Sequence, residues 1–351
     1  MTRPLDGCAV IDVSQYVTGA YAAMILADLG AEVLKIEPPG GDPCRRIGKR
    51  RNGLSVLFAN TNRGKRLRVL DLKKPSDLAE IRSLIGDADV LVDNWRPGVA
   101  VRLGLGDEAL FEANPGLVHL AITGYGPGGP LRGRPAFDGL LQAFSGLAWF
   151  HGRAGRPELL RTYLADKITS VFAAQAVLAA LLHRRDTGRG QRVDVSMLDA
   201  LAYFNFPDMF EHRTVLDDRD DLDIDESPAQ KTLVPTADGW LVVSPGTRHQ
   251  MERACRACGH PEWALELRSV RDFRLLGPAF VSRLLRVLPT GTNEHWLRVF
   301  AEHDVPAAPV LDLDAHLADP QVVHNQTYGV LTDPDLGTIR FCRYPARFHS
   351  Q

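Results

Sequence analysis

CAVIDVSQYVTGAYAAMILADLGAEVLKIE, residues 8–37, reads as strand, helix, strand. Cys8–Val13 is a short apolar run of the kind that forms a buried strand. GAYAAMILADL, residues 19–29, reads as a helix, and Gly30 stands where a helix stops. AEVLKIE, residues 31–37, is the next strand.

The alternation continues outward. Residues 66–72 are strand-like, and Pro75 opens a helix with Ser76 and Asp77 in its first turn. DVLVD, residues 89–93, and residues 117–123 are further strands. A long helix is predicted over 166–185, with Arg184 and Arg185 at its negative end and Gly188 after it. QRVDVSM, residues 191–197, is a strand, and a helix follows from Leu198. The prediction is an α/β protein with a mostly parallel sheet covered on both faces, in a large Rossmann-like domain over 1–210. Ligands of such sheets sit at the carboxyl ends of the strands. Residues 211–230, with the acidic run Asp217–Glu226, read as a linker. Residues 231–324 read as a smaller α+β domain, with a strand at 239–244 and helices near 247–258, 278–288 and 293–303.

The chain of 351 residues is 45% hydrophobic, enough to bury a core without disulfides or metal. A net charge of -2 with no basic run argues against nucleic acid or an anionic membrane as partner. No stretch reaches the ~18 apolar residues of a membrane span; the nearest is 168–182. MTRPLDG lacks the apolar stretch of a signal peptide, and an odd count of five cysteines fits reduced thiols, so a cytoplasmic location is expected.

Several motifs carry possible chemistry. Gly124, Gly126 and Gly129 spell G-x-G-x-x-G after a strand, but Pro127 and Pro130 remove backbone donors that a dinucleotide site needs. Cys255 and Cys258 resemble half a zinc site with no second pair, so no metal is expected. Arg45 and Arg46 follow a strand end, where an arginine pair can grip phosphate or simply form a solvated face. Asn94, Trp95 and Arg96 also follow a strand end, where an indole can stack on adenine or simply pack. Asp166 opens the long helix, and its spacing fits either a helix cap or a nucleophile.

Taken together, PLDGCAVIDVSQYVTGAYAAMILADLGAEVLKIEPPGGDPCR (4–45), NTNRGKRLRVLDLKKP (60–75), ADVLVDNWRPGVAVRLGL (88–105), AITGYGPGGPLRGRPAFDGLLQAFSGL (121–147) and LADKITSVFAAQAVLAALLHRRDTGRGQRVDVSMLDAL (164–201) resemble the family III CoA-transferases, the CaiB–BaiF group with formyl-CoA transferase-like members. DGWLVVS and VPAAPVLDLDAHLADPQV continue the pattern. The resemblance implies CoA transfer from an acyl-CoA to a small carboxylic acid, with CoA thioesters as substrates and no permanently bound cofactor. It implies an interlocked homodimer, and a large domain completed by about 325–351.

The family's nucleophilic aspartate falls on Asp166. Its CoA-contacting positions fall on Val17 and Thr18, on Leu70, Asp71, Leu72 and Lys73, on Asn94, Trp95 and Arg96, on Arg102, and on Pro135, Ala136, Phe137 and Asp138. The resemblance also covers α-methylacyl-CoA racemases, which carry a histidine where Phe137 stands; a phenyl ring cannot take a proton, which favours transfer. Three departures are visible. Asp225–Lys231 replaces a glycine-rich loop, Pro38 replaces a basic residue, and the sequence stops after RYPARF, where relatives continue with a further helix. The alternatives are a racemase-like enzyme and a CoA-binding protein without turnover.

Overall fold

The computed structural model describes residues 3–153, 155–217, 233–271 and 273–349. Residues 218–232, with most of the acidic run and all of Asp225–Lys231, lie outside the described residues. Two compact units form: Met1–Thr214 with Gln326–Gln351, and Val215–Asn325.

In the first unit the strands are β1 (Ala9–Asp12), β2 (Glu32–Glu37), a short hairpin of β3 (Arg50–Arg51) and β4 (Leu54–Ser55), then β5 (Arg66–Val69), β6 (Val90–Asp93), β7 (Val118–Thr123) and β8 (Gln191–Ser196). The six-stranded main sheet runs β5-β2-β1-β6-β7-β8, and every pairing in it is parallel. This is the doubly wound order, in which the direction of winding reverses between β1 and β6.

Strand periodicity divides the core. Val10, Val33, Val90, Val92 and Leu120 bury one face against the helices Thr18–Asp28 and Leu164–Thr187. Ile11, Ile36 and Leu91 bury the other, against Ile81 and Ile85 of helix Pro75–Gly86. Neighbours along a strand point to opposite faces, so a sheet covered on both sides needs strands that are apolar throughout. The 24-residue helix Leu164–Thr187 is long and apolar enough, by length and composition alone, to cross a membrane, which exceeds the shorter stretch read from sequence. Here it packs as a core helix, with Ala165, Ala173, Ala174 and Val177 buried. It ends at Gly188, whose φ of 72° favours glycine and whose N–H reaches the Arg184 carbonyl at 2.7 Å.

The second unit holds β9 (Leu233–Pro235), β10 (Trp240–Val243) and β11 (Ala307–Pro309) in an antiparallel sheet of order β11-β10-β9. Met251, Leu267, Phe280 and Phe300 from four helices form its core. Cys255 and Cys258 lie inside that core, and burial pushes their thiols up to about 11 and about 12. They are protonated packing residues. His260 is engaged with Glu262 at 2.8 Å and stacked on Trp263.

The chain then adds a hairpin, β12 (Tyr328–Asp333) with β13 (Gly337–Cys342), to the first unit. Leu336 at its turn packs in a cluster with Val17, Cys44, Leu54 and Phe58, and its carbonyl accepts from Arg51 at 3.0 Å.

Four buried charges sit beside β1. Lys65 Nζ donates to Asp12 Oδ2 at 2.8 Å and to the Ala20 carbonyl at 2.7 Å. Lys35 Nζ donates to the Ser14 carbonyl at 2.8 Å and lies 3.1 Å from Asp42 and 3.7 Å from Asp12. Burial alone would raise the Asp12 carboxyl, but the two lysines outweigh it and hold it at about 2. Burial draws Lys65 down to about 8 against the pull of Asp12. Two carboxylates against two ammonium groups leave no net charge, which is the condition for tolerating them in the interior. Lys35→Met should therefore cost about 3–5 kcal/mol, the usual effect of orphaning a buried partner, read as a lower urea midpoint. Arg46→Met, at an exposed position, should leave that midpoint unchanged.

Candidate active site

Between β1 and β6 the connecting loops diverge, and a cavity of about 400 Å³ opens at the carboxyl ends of the strands. Its walls come from the loop after β1, the turn after β6, the segment between β7 and the helix Asp138–Phe144, and the start of helix Leu164–Thr187.

The loop after β1 is pinned at successive residues. Ser14 donates to Asp12 Oδ1 through its N–H at 2.9 Å and its hydroxyl at 2.5 Å. Asn94 bonds the Gln15 backbone in both directions, accepting its N–H at 2.9 Å and donating to its carbonyl at 2.7 Å. The Tyr16 N–H donates to Asp42 Oδ1 at 3.0 Å. Tyr16 has a φ of 63°, and such backbone strain persists only where the surroundings over-determine it. The loop delivers Val17 and Thr18 to the cavity, with Thr18 opening the helix Thr18–Asp28.

Asp166 lies in the first turn of its helix, but it is not the cap. Asp138 takes that role from 28 residues away: its Oδ1 accepts from Ala165 N at 2.7 Å and Asp166 N at 3.4 Å, while Gln142 donates to its Oδ2 at 2.6 Å. The N–H groups at the start of a helix have no partner within it. Because Asp138 satisfies two of them, the Asp166 carboxylate is left to face the cavity, where it accepts a short hydrogen bond from the Thr18 hydroxyl. Ser170 Oγ lies 2.7 Å from both the Thr18 and Asp166 carbonyls, joining the two helices. Burial pushes the Asp166 carboxyl up to about 6; the Thr18 bond opposes this and the nearby Asp138 charge adds to it.

Of the residues selected from sequence, Val17, Thr18, Asn94, Trp95 and Arg96 border this cavity, as do Pro135, Ala136, Phe137, Asp138 and Asp166. Leu70, Asp71, Leu72, Lys73 and Arg102 do not. β5 lies two strands from β1, about 10 Å across the sheet. Leu70 and Leu72 pack into the core on the other face, and the Asp71 N–H is held by Asp77 at 2.8 Å. Arg102 ends the short helix Val99–Arg102 in an exposed position. Arg45 is held by Glu37 at 2.7 and 3.0 Å and lies over Phe58, while Arg46 is exposed.

The glycine motif follows β7, two strands along from β1, and no helix begins until Asp138. Its role is close approach: a Cβ on Gly124 would stand 2.0 Å from that of Ala136. Tyr16, Tyr125, Arg134, Tyr163 and Met197 also border the cavity and were not singled out from sequence. No local pattern marks them. The four-residue spacing from Asp138 to Gln142 is a signal that was available.

The profile of CoA-transferase family III matches residues 5–351. The chain belongs to that family. It is 31% identical over 345 residues to a succinyl-CoA–D-citramalate CoA-transferase of Chloroflexus aurantiacus, covering 96% of this chain and 86% of that protein. It is 35% identical over 316 residues to an acetyl-CoA:oxalate CoA-transferase of Acetobacter aceti, covering 88% and 81%. The crystal structure of Rv3272 from Mycobacterium tuberculosis superposes with a TM-score of 0.85 at 30% identity, covering all of this chain and 94% of that one. The protein is a CoA-transferase whose substrates are CoA thioesters and carboxylic acids.

A carboxyl raised in the folded state disfavours folding once ionised. That penalty is complete above about pH 6 and absent below about pH 4, where the group is protonated folded or unfolded. Asp166→Asn should therefore be more stable than the wild type by about 2–3 kcal/mol at pH 8. The two proteins should converge as pH falls to about 4, as thermal denaturation across that range would show.

Proposed function

We propose that this transferase moves CoA from an acyl-CoA to a free carboxylic acid through covalent intermediates on Asp166. The observation that carries the reading is the freed carboxylate: Asp138 caps the helix, so Asp166 faces the cavity with its side chain uncommitted apart from the Thr18 hydroxyl.

In the first step an Asp166 oxygen attacks the thioester carbonyl, forming a C–O bond while the C–S bond breaks, giving an acyl-aspartyl anhydride and CoA thiolate. The thiolate then attacks the Asp166 side-chain carbon of that anhydride, leaving an aspartyl-CoA thioester and releasing the donor acid as carboxylate. The acceptor carboxylate attacks this thioester, giving a second anhydride and thiolate. Attack of thiolate on the acceptor's carbonyl yields the new acyl-CoA and restores Asp166. Each step exchanges one acyl bond for another, so the thioester's energy is retained.

Two helix N-termini meet at this point, and their positive ends favour both the anion and the developing oxyanion. The backbone at Gly124–Gly126 borders the same cavity and is the assigned donor to that oxyanion. Asn94, Trp95 and Arg96 form the assigned CoA wall, with the indole offering a stacking face and the guanidinium a counter-charge for phosphate. Leu70–Lys73 and Arg102, outside the cavity, are assigned to the far end of this long ligand. Phe137 lies at the mouth against Tyr16 and offers no proton-transfer group, which supports transfer over racemisation. The citramalate and oxalate relatives support a short dicarboxylic acid as the acceptor class.

The homodimer belongs to the same reading. Trp149 is 69% and Tyr203 75% exposed, with Phe150, Phe204, Val171 and Leu182 also exposed. A second copy of the chain covering these exposed apolar side chains is part of this reading.

Incubation with an acyl-CoA followed by hydroxylamine should convert Asp166 alone to the hydroxamate, identified by peptide mass. Asp166→Asn should lose at least about 10³-fold in turnover while still binding CoA, the usual effect of removing a nucleophile. Full turnover by Asp166→Asn would overturn the assignment.

A further inference from the structure

His119 is a buried charge-bearing side chain that the transfer steps leave unused. It sits on β7, between Leu91 of β6 and Arg192 of β8 in the sheet register, and is 1% exposed. Both ring nitrogens face carboxylates. Nε2 is 2.6 Å from Asp93 Oδ2, and Nδ1 is 2.9 Å from Asp107 Oδ1. A neutral imidazole has one N–H and one lone pair, so it would set a lone pair against one of these oxygens. Asp107 does not supply the missing proton, because Arg192 NH1 donates to both its oxygens at 2.8 and 2.9 Å and keeps it ionised. Arg192 is also engaged by Asp194 at 2.8 Å. An imidazolium donates to both carboxylates in this geometry, with Asp93, Asp107, Arg192 and Asp194 as the charges around it.

The consequence lies on the other side of Asp93. Its second oxygen, Oδ1, accepts the Trp95 N–H at 2.9 Å, at the turn where Asn94 also locks the Gln15 backbone. Asp93 thus faces the cationic ring with one oxygen and holds the cavity-wall turn with the other.

We infer that His119 is a positioning residue for CoA binding: held as an imidazolium between Asp93 and Asp107, it fixes the carboxylate that carries the Asn94–Arg96 turn. This rests on the assignment of that turn as the CoA wall. His119 lies behind the cavity and touches no reacting atom, so its loss acts on binding and leaves the chemical steps alone. Burial alone would lower its pKa, but the bonds to Asp93 and Asp107 outweigh burial and raise it above the ordinary value. Its contribution is therefore complete below the ordinary imidazole value and lost as pH rises through the raised one.

The test measures the dissociation constant of free CoA by calorimetry, and KM and kcat for acetyl-CoA from pH 6 to 10. His119→Gln should weaken CoA about tenfold, the effect of roughly one hydrogen bond, and raise KM similarly, with kcat within about twofold. The wild-type KM should rise as pH passes upward through the raised His119 value, and His119→Gln should lack that rise. Asp107→Asn, a change at a half-exposed carboxylate, should match the wild type at the acidic end of the range and show the rise at lower pH than the wild type, because the imidazolium has lost one anionic partner. Trp95→Ala separates the two layers of argument. If it leaves CoA affinity unchanged, the wall assignment fails and this inference with it. If it weakens CoA while the folded His119→Gln and Asp107→Asn variants keep wild-type affinity and pH profile, the inference alone is overturned. A fall in kcat without a change in KM in His119→Gln overturns it as well.

Discussion

One carboxylate organises the centre of the molecule. Asp138 caps the helix Leu164–Thr187 from outside, and Gln142 fixes its other oxygen. A helix N-terminus buried without acceptors is costly, and a capping side chain typically contributes about 0.5–2 kcal/mol. Here the cap also decides which carboxylate faces the cavity. Had Asp166 served as its own helix's cap, its oxygens would be tied to backbone N–H groups and its carboxyl held low. With Asp138 in that place, Asp166 is half-desolvated, near a like charge, and raised to about 6. Two aspartates close in space are placed differently by environment alone, one capping a helix and one facing the cavity.

The opposite wall follows the same logic of fixed polar groups. The loop that delivers Thr18 carries a left-handed Tyr16 and is held by Asp12, Asp42 and Asn94. Two of those carboxylates belong to the buried Lys35–Lys65 network, so the site's geometry is secured by charges that face away from it. The turn after β6 is held from behind by Asp93 and His119. Preorganisation by such second partners is what keeps reacting groups in place without reorganisation during the reaction.

Much of the architecture was legible in the sequence. The apolar runs of β1, β2, β6 and β7 announced strands buried on both faces, and the glycine after the long helix announced its end. The hairpin Tyr328–Cys342 and the helix Pro261–Ser269 were not read, although TDPDLG (332–337) and Pro261 are ordinary turn and helix-start signals. The cavity was half legible. Motif order gathered Val17, Thr18, Asn94–Arg96, Pro135–Asp138 and Asp166, which line the cavity, together with Leu70–Lys73 and Arg102, which do not; sequence order does not reveal that β5 lies two strands away from β1.

By itself the sequence determined the parallel α/β sheet, the family to which the chain belongs, and ten of the residues that line the cavity. Hydrophobic periodicity and motif order are local, so they survive in one dimension. The tertiary structure alone decided which aspartate caps and which is free, and which charges hold the loops. Those outcomes depend on contacts between residues distant in the chain: Asp138 with Ala165, Thr18 with Asp166, Asn94 with Gln15, His119 with Asp93 and Asp107. A carboxyl's pKa and its reach are set by what folding places within a few ångströms of it, and no spacing along the chain encodes that.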